Sequence, residues 1–332
     1  MLLAATCSSA SAEMAARLAG CRVQSITTGG RGGNNRLDRV EAEDGRVFAL
    51  KSYPRTAGDR RDRLGAEFTA LSFLKRNGVA EVPAALARDD QSGHALYEWI
   101  EGEAVTAPTL ADLDAALAFA ARLHGLRRAE GAGKLAWASE ACVSGAELMR
   151  QVTARLDLLR QVAGDHPGLG RILEDGIVPI VNRSAAASAF GDLTSAERTL
   201  SPADFGFHNA IRRPDGGLVF IDFEYFGWDD PVKLAVEFPL HPGMSLGPDL
   251  AAHWRRGIDR VYEDVAGYGA RLAAFQPLFV ARWALIVLNE FLPERWARRR
   301  AAGAEDAVAA RAAQLDKAIF LLEQASDSCL QR

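Results

Sequence analysis

Polar and apolar positions change their rhythm several times along the chain. Residues 13–19 read as a short helix. Over 21–27 the pattern alternates, with Val23, Ser25 and Thr27 on one side, which predicts a half-buried strand. Gly29-Gly30-Arg31-Gly32-Gly33 predicts a turn, and 36–42 a second strand. Asp44-Gly45 is a hairpin signal leading into a third strand over 46–52. A helical pattern over 59–76 stops at Asn77-Gly78, and Val82-Pro83 and 94–99 suggest two more short strands. Beyond Gly102 the texture becomes helical, over 110–125, 145–163, 248–264 and most of 271–325, with one hairpin near 209–222. This predicts an α+β chain whose small β-rich lobe with one helix (1–101) precedes a larger, mainly helical lobe (102–332), the boundary falling near 100–103.

Composition narrows the class. The chain has 332 residues, long for one hydrophobic core, with 48% hydrophobic and 25% charged residues and a net charge of −4. Nothing in this balance suggests a nucleic-acid partner, and the Arg60-Arg61-Asp62-Arg63 and Arg298-Arg299-Arg300 runs read as solvated helix faces. Cys7, Cys21, Cys142 and Cys329 are widely spaced, so neither a disulfide framework nor a zinc site is expected. A reducing cytosol is the expected location. The apolar N-terminal run is short and lacks a basic start, and no run of 18 apolar residues occurs, so neither a signal peptide nor a membrane span is expected.

The glycine-rich stretch lies between two strands. There it is either a plain turn or a place where backbone N–H groups approach phosphate oxygens. No helix with Gly-Lys-Ser/Thr follows it, which disfavours a P-loop, and no Rossmann-type helix follows either. Lys51 ends an apolar strand segment, Val47-Phe48-Ala49-Leu50, so it either snorkels at the edge or serves a phosphate. Leu64, Glu67, Leu71 and Leu74 share the apolar face of the following helix. If Glu67 is not solvated at the margin of that stripe, it needs a cation, and Lys51 is the candidate. A strand lysine paired with a helix glutamate is how kinases hold ATP phosphates.

The segment Pro202-Ala203-Asp204-Phe205-Gly206-Phe207-His208-Asn209 contains Asp-x-x-x-x-Asn. A hairpin follows, and with its turn centred between Asp215 and Gly216, Asn209 faces Asp222. An amide oxygen and a carboxylate side by side suit Mg²⁺, although an ordinary hairpin with a solvated acid fits the same letters. Asp204, in the loop entering the hairpin, is placed to orient an acceptor hydroxyl and take its proton. Asp204-Phe205-Gly206 spells a protein-kinase metal triplet, but the order of elements assigns that role to Asp222-Phe223-Glu224. His208 reads as structural or incidental.

In this order the motifs resemble the aminoglycoside phosphotransferase and choline kinase-like superfamily, over about residues 22–300. Gly29-Gly30 with Asn34-Asn35-Arg36 is similar to its nucleotide loop, Phe48-Ala49-Leu50-Lys51 to its lysine strand, and Tyr97-Glu98-Trp99-Ile100-Glu101-Gly102 to its adenine-contacting hinge. Arg122-Leu123-His124 resembles a common helix end, Asp230-Pro231 its Gly-Asp-Pro brace, and Asn289-Glu290-Phe291 a helix that often walls the acceptor pocket. Two positions depart from the family. Pro202-Ala203-Asp204 stands where His-Gly-Asp is usual, and Asp229 replaces the glycine of Gly-Asp-Pro.

The resemblance implies a bilobal protein kinase-like fold and an ATP- and Mg²⁺-dependent kinase acting on a hydroxyl of a sugar, amino sugar or amino alcohol, as a monomer or homodimer. It implies nucleotide contacts from Gly29, Gly30, Gly32, Gly33, Asn34, Lys51, Glu67, Glu98 and Ile100. It further implies metal ligation by Asn209 and Asp222, catalysis by Asp204, and acceptor contacts from Glu224, Asp229, Asp230 and Glu290. The Pro202 departure motivates the alternative of a nucleotide-binding pseudokinase. A protein kinase is disfavoured, because Asp230-Pro231 follows Asp222 too closely for a long activation loop.

Overall fold

The computed structural model describes residues 9–31, 35–54, 61–244, 246–301 and 306–330. The chain divides into two compact units, one formed by residues up to Ser139 together with Leu200–Trp228, the other by Glu140–Thr199 and Asp229 onward.

The first unit is built on a five-stranded antiparallel sheet. Its strands are β1 (Val23–Arg31), β2 (Arg36–Ala42), β3 (Val47–Ser52), β4 (Ala85–Asp89) and β5 (His94–Glu98), in the spatial order β1-β2-β3-β5-β4. Alternation puts Phe48 and Leu50 on one face, where they join Val40, Ala42 and Leu96 in a core capped by Ala15, Met14 and Leu18 of helix α1 (Ser9–Ala19). Ala49 and Lys51 take the opposite face. β1 runs four residues further than its alternation predicts: Gly29 and Gly30 are in the strand, and a bulge between Thr28 and Gly30 keeps the pairing in step. Gly32, Gly33 and Asn34 lie outside the described residues.

Helix α2 (Arg63–Arg76) begins where the Asp62 carboxylate accepts from the Gly65 N–H, a cap that sets its start later than the expected residue 59. It ends at Asn77, followed by Gly78 at φ 75°. The strand expected at Val82-Pro83 forms instead at β4, since proline has no N–H to give a ladder. Helix α3 (Leu110–Leu126) opens on a capping box between Thr109 and Asp112. Phe119 of α3 packs against Phe205, Phe220 and Phe223, with ring centroids 5.6, 4.6 and 6.2 Å away. These contacts anchor the segment 204–223 to the helix.

β6 (Glu103–Ala104) pairs with β8 (Ala210–Arg212), β8 pairs with β9 (Leu218–Phe220), and the Phe220 N–H donates to Glu81 O. The hairpin is therefore tied to the sheet-bearing unit, and the compact units do not follow a cut at residue 101. The hairpin register also differs by one from expectation. Ala210 pairs with Phe220, so Asn209 stands opposite Ile221, whose N–H donates to Asn209 O at 2.9 Å. The turn closes between Arg213 and Gly217 and is centred on Asp215, half a residue before the assumed centre, with Gly216 at φ 89°.

The second unit is helical. It holds α4 (Gly145–Ala163), α5 (Pro167–Arg171), a π-helical turn over Ile172–Ile177, α6 (Val178–Arg183), α7 (Pro231–Leu240), α8 (Pro248–Val261), α9 (Tyr268–Val287), α10 (Pro293–Ala301) and α11 (Ala307–Leu330). The unit boundaries run through two short strands, β7 (Thr199–Ser201) and β10 (Gly227–Asp229). Tyr268–Phe291 is long and apolar enough to cross a membrane, but most of it is core: Phe275, Leu278, Phe279, Ala281 and Leu285 are fully buried. With an antiparallel sheet in the N-terminal part and helices in the C-terminal part, the α+β expectation holds.

Candidate active site

Lys51 is the centre of the first unit's charged core. Its ammonium donates to Glu67 Oε2 and to Asp222 Oδ1, both at 2.6 Å, and only 6% of the residue is exposed. Burial works against its charge, but Glu67 and Asp222 outweigh that and raise its pKa, so it stays a cation. Glu67 is 3% exposed, and burial pushes its carboxyl upward against the pull of Lys51. Glu67 is held further by the Tyr53 hydroxyl at 2.6 Å and the Phe223 N–H at 3.3 Å. Tyr53 shares a hydroxyl hydrogen bond with Tyr97 at 2.8 Å. Burial raises both phenols, which stay neutral. Tyr53 follows Lys51 by two residues, so strand alternation was the signal that could have placed it here.

Asp222 stands just past β9 at φ 67°, in the left-handed region that non-glycine residues rarely adopt. The one-residue difference in register thus does not separate it from the site. Its carboxylate, Glu67 and Glu224 offer oxygens within 4.8 Å of one another. Glu224 is buried and accepts from the Asn35 side chain at 3.1 Å, so it belongs with these acids and not on an open acceptor surface. Three carboxylates around one lysine leave negative charge in excess, the chemistry a divalent cation neutralises.

Asp204 lies in a turn in which its N–H donates to Pro202 O at 2.8 Å. Ala203, just before it, is at φ 65° with its N–H on Ser201 Oγ. The Asn209 amide nitrogen donates to Asp204 O at 3.0 Å, leaving the amide oxygen for a cation. His208 Nε2 is 3.1 Å from Asp204 Oδ1, a contact the sequence reading passed over although i, i+4 spacing allows it. The hinge-like Glu98 accepts from the Ala84 N–H at 3.0 Å, and Ile100 is buried.

The remaining expected residues belong to the second unit. Asp229 is fully buried, accepts from the Cys142 and Asp230 N–H groups, and pairs with Lys233 at 2.7 Å. Asp230, also fully buried, caps α7 through the Val232 N–H and pairs with Arg271 at 2.6 Å. Burial raises its pKa to about 6 against the pull of Arg271. The expectation that these two acids contact the acceptor is therefore corrected: both carboxylates are spent on internal partners. Lys233 supplies the charge that lets Asp229 replace a glycine, and the sequence reading missed it. Glu290 pairs with Arg299 at 3.3 Å.

On an α+β fold of this kind, a lysine clasped by a helix acid and a post-strand acid beside an Asp-x-x-x-x-Asn loop marks a kinase-like phosphotransferase. The chain belongs to the phosphotransferase enzyme family known as APH, whose model matches residues 26–233. Comparison with curated proteins gives no match. Among solved structures, a spectinomycin phosphotransferase in complex with ADP and spectinomycin is similar at a TM-score of 0.63 and 11% identity, over 95% of this chain and 98% of that one. Choline kinase LicA from Streptococcus pneumoniae is similar at 0.59 and 17% identity, over 94% and 97%. Amicoumacin kinase hAmiN, in complex with AMP-PNP, Ca²⁺ and Ami, is similar at 0.59 and 14%, over 94% and 93%. These likenesses are of fold. The family makes the chain a phosphotransferase.

Proposed function

We propose that the protein transfers the γ-phosphoryl group of ATP, with Mg²⁺, to a hydroxyl of a sugar, amino sugar or amino alcohol. Lys51 held between Glu67 and Asp222 is the observation that carries this reading. In this assignment Lys51 takes phosphate oxygens, with its amine fixed by Glu67. Asn209 and Asp222, with Glu224 beside them, would hold Mg²⁺, which neutralises charge on the phosphates. Gly29 and Gly30 bring backbone close to the nucleotide, and Glu98 and Ile100 mark the adenine edge. Asp204 orients the acceptor hydroxyl and takes its proton as the O–P bond forms and ADP leaves. Positioning matters more than base strength, because the transition state is loose. Segment 1–101 is then the nucleotide-binding part, and 102–332 carries catalysis and acceptor binding.

The test is an acceptor panel of sugars, amino sugars, amino alcohols and aminoglycosides, read by mass spectrometry for a gained phosphoryl group. One acceptor class is expected to be phosphorylated by the wild type and not detectably by Asp204→Asn, with ATP binding retained. Full transfer by Asp204→Asn would remove Asp204 from its role.

A further inference from the structure

A cavity of about 420 Å³ lies in the first unit beside the Lys51 cluster, with Glu224 common to both. One wall is α2 and its approach: Arg61, Asp62, Gly65, Ala66 and Thr69, the last three on the helix that carries Glu67. The other wall is Lys134, Trp137 and Ser139 with Glu224, Tyr225 and Phe226, which begin two residues after Asp222. This second wall is zipped together: Ala138 N–H donates to Trp228 O at 2.9 Å, Ser139 N–H to Tyr225 O at 3.0 Å, and Trp228 N–H to Ala136 O at 3.0 Å. Only glycine fits at 227, where a Cβ would stand 2.4 Å from Ala138 N and 2.5 Å from Ala136 O. The wall is thus preformed.

Its chemistry is cationic and aromatic. Arg61, Arg88 and Lys134 line the cavity, and Trp137 is 47% exposed beside Tyr225. The Arg61 guanidinium lies 5.2 Å above the Tyr225 ring, and that of Arg88 lies 5.2 Å above Phe68 of α2. Two acids also line it. Asp62 caps α2 and Glu224 accepts from Asn35, while Arg88 shares its charge with the exposed Asp90 at 3.3 Å. The volume suits a small organic ligand.

We propose that this cavity is a second ligand site, taking a flat aromatic anion such as an aryl carboxylate, sulfonate or phosphate, and that it is coupled to the nucleotide site. The ring lies against Trp137 and Tyr225, and the anion meets Arg61 and Lys134. Because one wall carries Glu67 and the other continues from Asp222, a bound ligand fixes the spacing of the two acids that clasp Lys51. Binding here and nucleotide binding then alter one another by the same factor.

The test uses the full chain and anilinonaphthalene sulfonate, an aromatic anion that fluoresces on binding. Saturable one-to-one binding is expected, weakened about tenfold or more in Arg61→Glu/Lys134→Glu, and not reproduced by uncharged phenylnaphthylamine. Circular dichroism confirms that the variant is folded; both positions are exposed, so it should be. Equal binding by wild type and variant, or no saturable component, would overturn the site. Saturating Mg-ATP is expected to change the dye's Kd about fivefold or more. An unchanged Kd, with binding still lost in the variant, would leave the site and overturn its coupling. The dye-binding arm does not depend on the nucleotide reading, so failure of one is distinguishable from failure of the other.

Discussion

At the scale of single residues, two departures from the family pattern have physical explanations. Ala203 holds a left-handed backbone at φ 65°, where the related proteins usually place glycine. A Cβ there costs about 1 kcal/mol, so Ala203→Gly is expected to stabilise the fold by roughly 0.5–1 kcal/mol in chemical unfolding. A loss of stability would show that the Cβ makes contacts worth more than its strain. Asp229, the second departure, is tolerated because Lys233 neutralises it. Lys233→Met leaves a buried carboxylate unpaired and should cost about 3–5 kcal/mol. Adding Asp229→Gly to that variant should restore much of the loss, and no restoration would mean that Lys233 acts through packing alone. Both letters were plain in the sequence; their consequences were not, because backbone dihedrals and burial are tertiary outcomes.

At the scale of elements, a polar network holds the segment entering α4. Glu140 sits at φ 53° and pairs with Arg155 and Arg282, at 2.6 and 2.7 Å, while Arg282 also holds Glu237 at 2.7 Å. Burial works against the Glu140 charge, but the two arginines prevail and lower its pKa from 4.5 to about 2. The folded value lies below the unfolded one, so Glu140 adds stability above about pH 4.5 and loses it as pH falls toward 2. Glu140→Gln should therefore melt below the wild type at pH 7, and the gap should narrow steadily on acidification. A gap independent of pH would assign the effect to hydrogen bonding and not to charge. β2, β3, β5, α3 and α4 were legible as elements because period-2 and 3.6-residue patterns and caps such as Thr109 announce themselves. The register of the 209–222 hairpin was not. A one-residue shift of a Pro-Asp-Gly-Gly turn changes nothing in composition, and the actual pairing is fixed by Phe220 donating to Glu81 and by the packing of Phe119 on Phe220. Asp222 still reaches Lys51, through a backbone angle that no pattern encodes.

At the scale of the molecule, the order of motifs was more informative than any one of them. Gly-rich strand end, Lys51, Glu67, Asp204, Asn209 and Asp222 are scattered over most of the first unit's sequence, and the fold brings Lys51, Glu67 and Asp222 into direct contact. The acceptor acids were the weakest expectation, because Asp229 and Asp230 looked free in the sequence and are saturated by Lys233 and Arg271 in the structure. The most direct test of the central claim is calorimetric titration of Mg-ATP into the wild type and Lys51→Met. Saturable binding by the wild type, weakened about tenfold or more in the variant, is the expected result, since a charge-assisted contact to phosphate is lost. Equal affinity in the two proteins, or no binding by the wild type, would contradict the assignment of Lys51 to the phosphates of ATP.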